Sequence, residues 1–450
     1  MNIKFANSIV IALALTPLTW LTSPASYAQE IPAAKQKKPI ALVGGTIHTV
    51  SGETYEDATL LFEDGIITGV GDEVELPEDV KRISIEGKHV YPGLFESHSQ
   101  MGLTEISAVR ASKDYNEIGD VNPNAKAISS VNPENIVIPV TRANGVLLAL
   151  SAPSGGLVSG KSAVLQMDGW TYEDMALLPK AAMQINWPSQ SLSPRRARRM
   201  SKKEIAEYKE RQAKNLKGIR KLFDQARAYR DLRESSREDQ PFDLRLEAMT
   251  DVVDGKLPIM VRADRAVEIQ SAVAFAVEQK LKLIILGGYD AEVCADLLKK
   301  HEIPVIISAV FRLPQRTDDD YDKAYTLPAR LAKAGVKFCI SGTDRSETWN
   351  ARILPYHAGT AVAYGLDVKE ALRAITLYPA QILGVADRVG SLELAKDATL
   401  IVTDGSPLET FTKVEHAFIQ GRKVDLSSRH ERLFKKYQQR QKQSKADRRN

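Results

Sequence analysis

Short runs of consecutive apolar residues, separated by helix-like segments, recur through the middle of this chain and restrict its fold more than any other feature. KLIILGG around Leu283–Leu286 and PVIISAV around Pro304–Ile307 are apolar throughout. A strand with one wet face would alternate, so these runs belong to parallel strands covered on both faces. Further strands are predicted at Val146–Leu150, Ala163–Met167, Ala181–Ile185, Pro258–Val261 and Val336–Ile340, with helical segments over Ala266–Gln279 and Ala291–Lys300 between them. Counting Val90–Leu103 as the first, the strands number eight, and a (β/α)8 barrel is the natural closure.

The two ends have a different texture. Ile40–His48, Ala58–Glu63, Ile66–Val70 and Arg82–Ile85 read as short strands, with Asp64-Gly65 as a hairpin turn; Ala398–Thr403 and His416–Ile419 repeat the pattern near the other end. Neither set has enough strands to bury a core alone. The expected fold class is therefore α/β: a TIM-like barrel over residues 90–386 and a small discontinuous β-sandwich domain built from 38–89 and 387–425. Lys202–Arg233 is highly charged, yet Leu216, Ile219, Leu222 and Phe223 make one apolar stripe, so its charges form a solvated helix face.

Lys4, the apolar run Ile9–Leu21 and Ser26-Tyr27-Ala28 have the form of a cleavable signal peptide over residues 1–28, which predicts a periplasmic or secreted protein. The apolar run is too short for a confident membrane span. An oxidising compartment would permit a disulfide between Cys294 and Cys339, but two cysteines in so large a chain are as well explained as small buried hydrophobes. The net charge of +4 gathers in the tail, residues 426–450, leaving the body near neutral or slightly acidic. That balance excludes a general nucleic-acid surface. The tail reads as a solvated, partly helical extension, chemically suited to an acidic surface or to anionic lipid head groups.

Two stretches invite a chemical reading. Val90–Leu103 (VYPGLFESHSQMGL) ends in Glu96, His98 and Gln100, which alternation along a strand would turn to one face. Gly155–Ser162 (GGLVSGKS) satisfies the phosphate-loop spacing, but the motif should open a helix and Ala163–Met167 is strand-like. Its glycines are better read as a tight loop at the barrel mouth.

VYPGLFESHS resembles the PGxxDxHxH first strand of the amidohydrolase superfamily, and Glu370–Leu408 resembles that superfamily's ending, with Thr376, Pro379, Ala380, Gly384, Gly390, Lys396, Asp397 and Asp404 in place. Within it the chain is most similar to secreted members of the imidazolonepropionase-like group. The resemblance implies hydrolysis of a carbon–nitrogen bond other than an ordinary peptide bond in a small-molecule or dipeptide-like substrate, with a zinc-like divalent metal activating water. It carries His98 and Asp344, in Ser341–Asp344, over as catalytic and metal-binding positions.

The rest of the ligand set departs from the pattern. Gln100 stands in place of the second histidine, Glu96 in place of the usual Asp, and Arg262 where relatives carry a ligand His, while Ala181–Trp187 holds neither Lys nor Glu. A guanidinium is always charged; an Arg262–Asp344 ion pair in the vacated metal position is the expected compensation, leaving a degraded metal site. Arg262, Gln100 and Glu105 become candidate substrate-binding residues, and Glu105, Asp114, Glu117 and Asp120 could alternatively supply oxygen ligands or a base. His357 reads as a packed core histidine. The alternative to a hydrolase is a catalytically inactive barrel acting as a binding or partner protein, and a homo-oligomer is compatible with either.

Overall fold

The computed structural model describes residues 31–192, 197–235, 242–343 and 348–447. The predicted leader over 1–28 and the candidate residue Asp344 lie outside the described residues. Contacts divide the chain into Met1–Ile31 and a compact unit, Pro32–Asn450.

The chain opens with strands β1 (Ile40–His48), β2 (Thr54–Glu63), β3 (Ile66–Gly71), β4 (Lys81–Ser84) and β5 (His89–Pro92). The β2–β3 turn is Asp64-Gly65, both with positive φ (49° and 85°), the backbone a tight hairpin demands. Strands β6 (Leu94–Ser99), β7 (Val146–Ser151), β8 (Val158–Gln166), β9 (Ala176–Asn186), β10 (Ile259–Ala263), β11 (Leu283–Gly287), β12 (Val305–Ser308) and β13 (Phe338–Ser341) then form a second sheet. Its eight strands are ordered β13-β12-β11-β10-β9-β8-β7-β6, a nearly closed barrel. Finally β14 (Leu400–Thr403), β15 (Val414–Ile419) and β16 (Arg422–Lys423) rejoin the first sheet, in the order β16-β15-β14-β5-β1-β2-β3.

The pairing of β14 with β5 is what joins the two ends of the chain. Phe62 of β2 and Phe418 of β15, both fully buried, meet edge-on at 5.1 Å in the core between Leu42, Leu60, Leu400 and Val402. Inside the barrel every strand contributes an apolar side chain, including Phe95, Leu148, Val164, Ala182, Met260, Ile284, Ile306 and Cys339. Their neighbours Ala149, Val261, Ile285 and Ile307 point outward into a larger core beneath the helices, as period-two alternation requires. The long helix Lys202–Glu234 starts at a Ser201/Glu204 capping box and buries Ile219, Leu222, Phe223 and Ala226, with Phe223 edge-on to Phe275 at 5.2 Å. Both cysteines are buried and free.

Two expectations need correction. The opening stretch is not one strand: β5 belongs to the first sheet and β6 to the barrel. The break falls at Gly93, whose amide donates to Thr399 O and where a Cβ would meet Leu147 at 2.9 Å. The barrel is also not wholly parallel, because β8 runs antiparallel to both β7 and β9. A buried apolar run satisfies either direction, so composition alone did not reveal it. The reversal starts β8 at the mouth, which puts Lys161 in the middle of a strand rather than on a phosphate loop. Gly155 and Gly156 do form the preceding turn (φ 99° and 61°), and a Cβ on Gly156 would lie 2.7 Å from Asp120 O.

Candidate active site at the barrel mouth

A cavity of about 450 Å³ opens where β6, β7, β9 and β10 end. His98 and Gln100 come to it from β6 and the turn beyond, Pro153 and Ser154 from the turn after β7, Gln184 and Asn186 from β9 and Arg262 from β10. Tyr115, from the long segment after β6, and Ser159, at the start of β8, complete the polar wall.

The amides are held in place. Gln100 accepts from Thr104 Oγ1 (3.1 Å) and donates to Ser154 Oγ (3.1 Å). Gln184 donates to Ser162 Oγ (3.0 Å), while Asn186 spans Gly156 O (3.0 Å) and Ser159 Oγ (3.2 Å). His98 differs: its Nδ1 is buried with no hydrogen-bond partner among the described residues. Burial, and then the positive charge of Arg262, hold the imidazole down to about 3, so it is neutral throughout the physiological range.

Glu96 does not share the cavity with His98 and Gln100. An irregularity in the β6–β7 pairing interrupts the ladder between Glu96 and Ser99, and the fully buried carboxyl turns to the seam between β6 and β13. There it accepts from Ser341 Oγ (2.5 Å), Gly342 N (2.8 Å) and His98 N (3.2 Å). Thr343 Oγ1 donates to His98 O (2.5 Å), and Ser97 Oγ to Ile340 O (3.2 Å), so side chains join the two edge strands. Burial pushes the Glu96 carboxyl up to about 7 although the three donors pull it down.

Glu105, Asp114, Glu117 and Asp120 line no part of the cavity. Glu105 instead sits in the loop after β6, its amide bonded to Ser112 O. His357 is buried, stacked on Phe311 at 4.0 Å, and its Nδ1 accepts from the amides of Val310 and Phe311 (3.0 and 3.3 Å). Tyr115, Ser154, Ser159, Gln184 and Asn186 were missed by sequence reasoning. For two of them a signal existed: Gln184 and Asn186 are the polar residues closing the otherwise apolar run AAMQIN.

Among the described residues the donor set does not fit a divalent metal. Among the described residues no group of three or more His, Cys, Asp or Glu is placed to hold one. The cavity wall offers one imidazole beside a guanidinium, whereas metal sites of this kind gather several imidazoles and carboxylates.

The fold agrees with the comparisons. Residues 283–423 match the Amidohydrolase family. The structure superposes on an amidohydrolase from Thermotoga maritima with a TM-score of 0.76 at 25% identity, covering 86% of this chain and 99% of that one. Among curated proteins the chain is 23% identical to the amidohydrolase tasK of Hapsidospora irregularis over 80% of its own length, and 33% identical to an imidazolonepropionase of Syntrophobacter fumaroxidans over 18%. It spans only 39% of the first relative and 20% of the second. Residues 283–423 thus match the amidohydrolase family model, and the fold is similar to that of the Thermotoga maritima amidohydrolase.

Proposed function

We propose that the chain is a hydrolase acting on a carbon–nitrogen bond, other than an ordinary peptide bond, in a small-molecule or dipeptide-like substrate. The observation that carries this reading is the cavity wall, where a neutral imidazole stands among oriented side-chain amides. The match of residues 283–423 to the amidohydrolase family model supports the class of bond, and the cavity volume suits a small molecule. The amides of Gln100, Gln184 and Asn186 match the polarity of an amide or lactam. His98, neutral and weakly basic, serves to orient the substrate. The proton-transfer role falls by resemblance to Asp344. The leader over 1–28 would place this activity outside the cytoplasm.

A binding or partner protein without catalysis is the second reading, favoured by the lack of a metal-ligand group among the described residues. Amine release from a panel of N-acyl amino acids, dipeptides and lactams, measured with zinc, with manganese and with a chelator, separates the two. Hydrolysis of a member of the panel supports the proposal. Ligand-induced thermal stabilisation that Arg262→Met abolishes, with no hydrolysis under any metal condition, would establish the binding protein instead.

A further inference from the structure

The final helix, Arg429–Asp447, comes near the short helix Val137–Arg142 and otherwise faces water along its described length. Each residue whose exposure is described along it, Arg429 to Ser444, is exposed. It begins at the buried Ser428, whose hydroxyl accepts from Glu431 N (3.3 Å), a cap that fixes the start of the helix. Three large apolar side chains nevertheless stand on it in water: Leu433, Phe434 and Tyr437, exposed by 39, 62 and 51%.

The arrangement is amphipathic in a particular way. At the helical repeat those three side chains fall within an arc of ~100°, and Lys435, Lys436 and Lys442 fall on the opposite side. Residues 429–450 hold nine Lys and Arg against two acids, whereas the preceding residues together are net −3. One of the two acids, Glu431, is already engaged by Lys435 at 2.6 Å.

We propose that this helix docks the protein onto anionic lipid surfaces, with Leu433, Phe434 and Tyr437 entering the interface and the flanking Lys and Arg meeting the head groups. The charge identifies an anionic partner, and the apolar face selects among anionic partners. A bilayer interface is layered, with hydrocarbon beneath charge, so it receives a short aromatic and aliphatic ridge flanked by bases. Three side chains are too few for a stable protein interface, which buries about 800 Å² on each partner. A nucleic acid would use the bases and leave Leu433 and Phe434 in water. No helix among the described residues is long and apolar enough to cross a membrane, so the contact is peripheral.

The test is cosedimentation of the full chain with phosphatidylglycerol vesicles and with phosphatidylcholine vesicles. Binding to the first should be at least about tenfold tighter, since each basic side chain near the surface adds to it, and should weaken with added salt. Phe434→Glu should cost about tenfold or more in affinity, the loss of one buried aromatic ring, while thermal unfolding is unchanged because Phe434 packs against no core. Tyr437→Trp should show blue-shifted emission on phosphatidylglycerol. Equal binding to both vesicles, or wild-type affinity in Phe434→Glu, would overturn the proposal. So would binding to polyglutamate or DNA but not vesicles, or a dimer abolished by Phe434→Glu in a chain that ignores vesicles.

Discussion

Replacing Glu96 by Gln examines the seam that holds the barrel mouth together. The carboxyl is fully buried and its pKa stands at about 7, against an ordinary 4.5. The folded chain therefore keeps a proton on Glu96 at pH values where the unfolded chain has released it. Its contribution to stability is complete below the unfolded pKa and is lost as pH rises through the folded one. At roughly 1.4 kcal/mol per pKa unit, moving from about pH 5 to about pH 8 should cost the wild type about 2–3 kcal/mol at this site.

Glutamine cannot titrate. Its carbonyl can accept from Gly342 N and its amide donate to Ser341 Oγ, but the His98 amide then loses its acceptor, a penalty of about 1–3 kcal/mol that does not depend on pH. Urea unfolding of both proteins at the two pH values isolates the difference, because the other titrating groups are common to both. Glu96→Gln should be the less stable protein near pH 5 and should recover about 2–3 kcal/mol relative to wild type near pH 8. A stability difference that is the same at both pH values would refute the assignment of a proton to this carboxyl.

Other consequences follow from the same geometry. Arg262→Met should raise the His98 pKa from about 3, because one of the two causes of its depression is removed, and imidazole NMR shifts followed against pH would show no movement if the Arg262 charge were irrelevant. Phe62→Ala and Phe418→Ala should each destabilise by about 3–5 kcal/mol, and a double-mutant cycle should give a coupling of about 0.5–1.5 kcal/mol; strict additivity would mean that the two ends of the chain share no contact. Gly156→Ala should lower the melting temperature, since it places a Cβ in a left-handed backbone 2.7 Å from Asp120 O, and an unchanged melting temperature would contradict the turn.

The parts legible in the sequence were those set by local chemistry. Asp64-Gly65 specifies a tight hairpin wherever it occurs, and the stripe of Ile219, Leu222 and Phe223 specifies which face of a charged helix is buried. The apolar runs told of strands covered on both faces, and the strand-poor ends told of one β unit made from both, expected as a sandwich; that its strands lie in a single sheet came from the pairing. Strand direction was not legible, because Ala163–Met167 is equally buried whichever way it runs; only pairing with β7 and β9 fixed it.

The site divides in the same way. His98, Gln100 and Arg262 could be singled out because their types and positions depart from a resemblance, and all three line one cavity. Glu96 was assigned to the same face by strict alternation, which the irregular pairing of β6 breaks. The lowered pKa of His98 comes first from the burial of its ring and then from a guanidinium on β10, both supplied by closure of the barrel. Sequence by itself determined the periodicity, the turns and the inventory of chemical groups, since those depend on neighbours along the chain. Which groups meet, and what charge each one carries there, depends on distances and desolvation that exist only once the strands have paired.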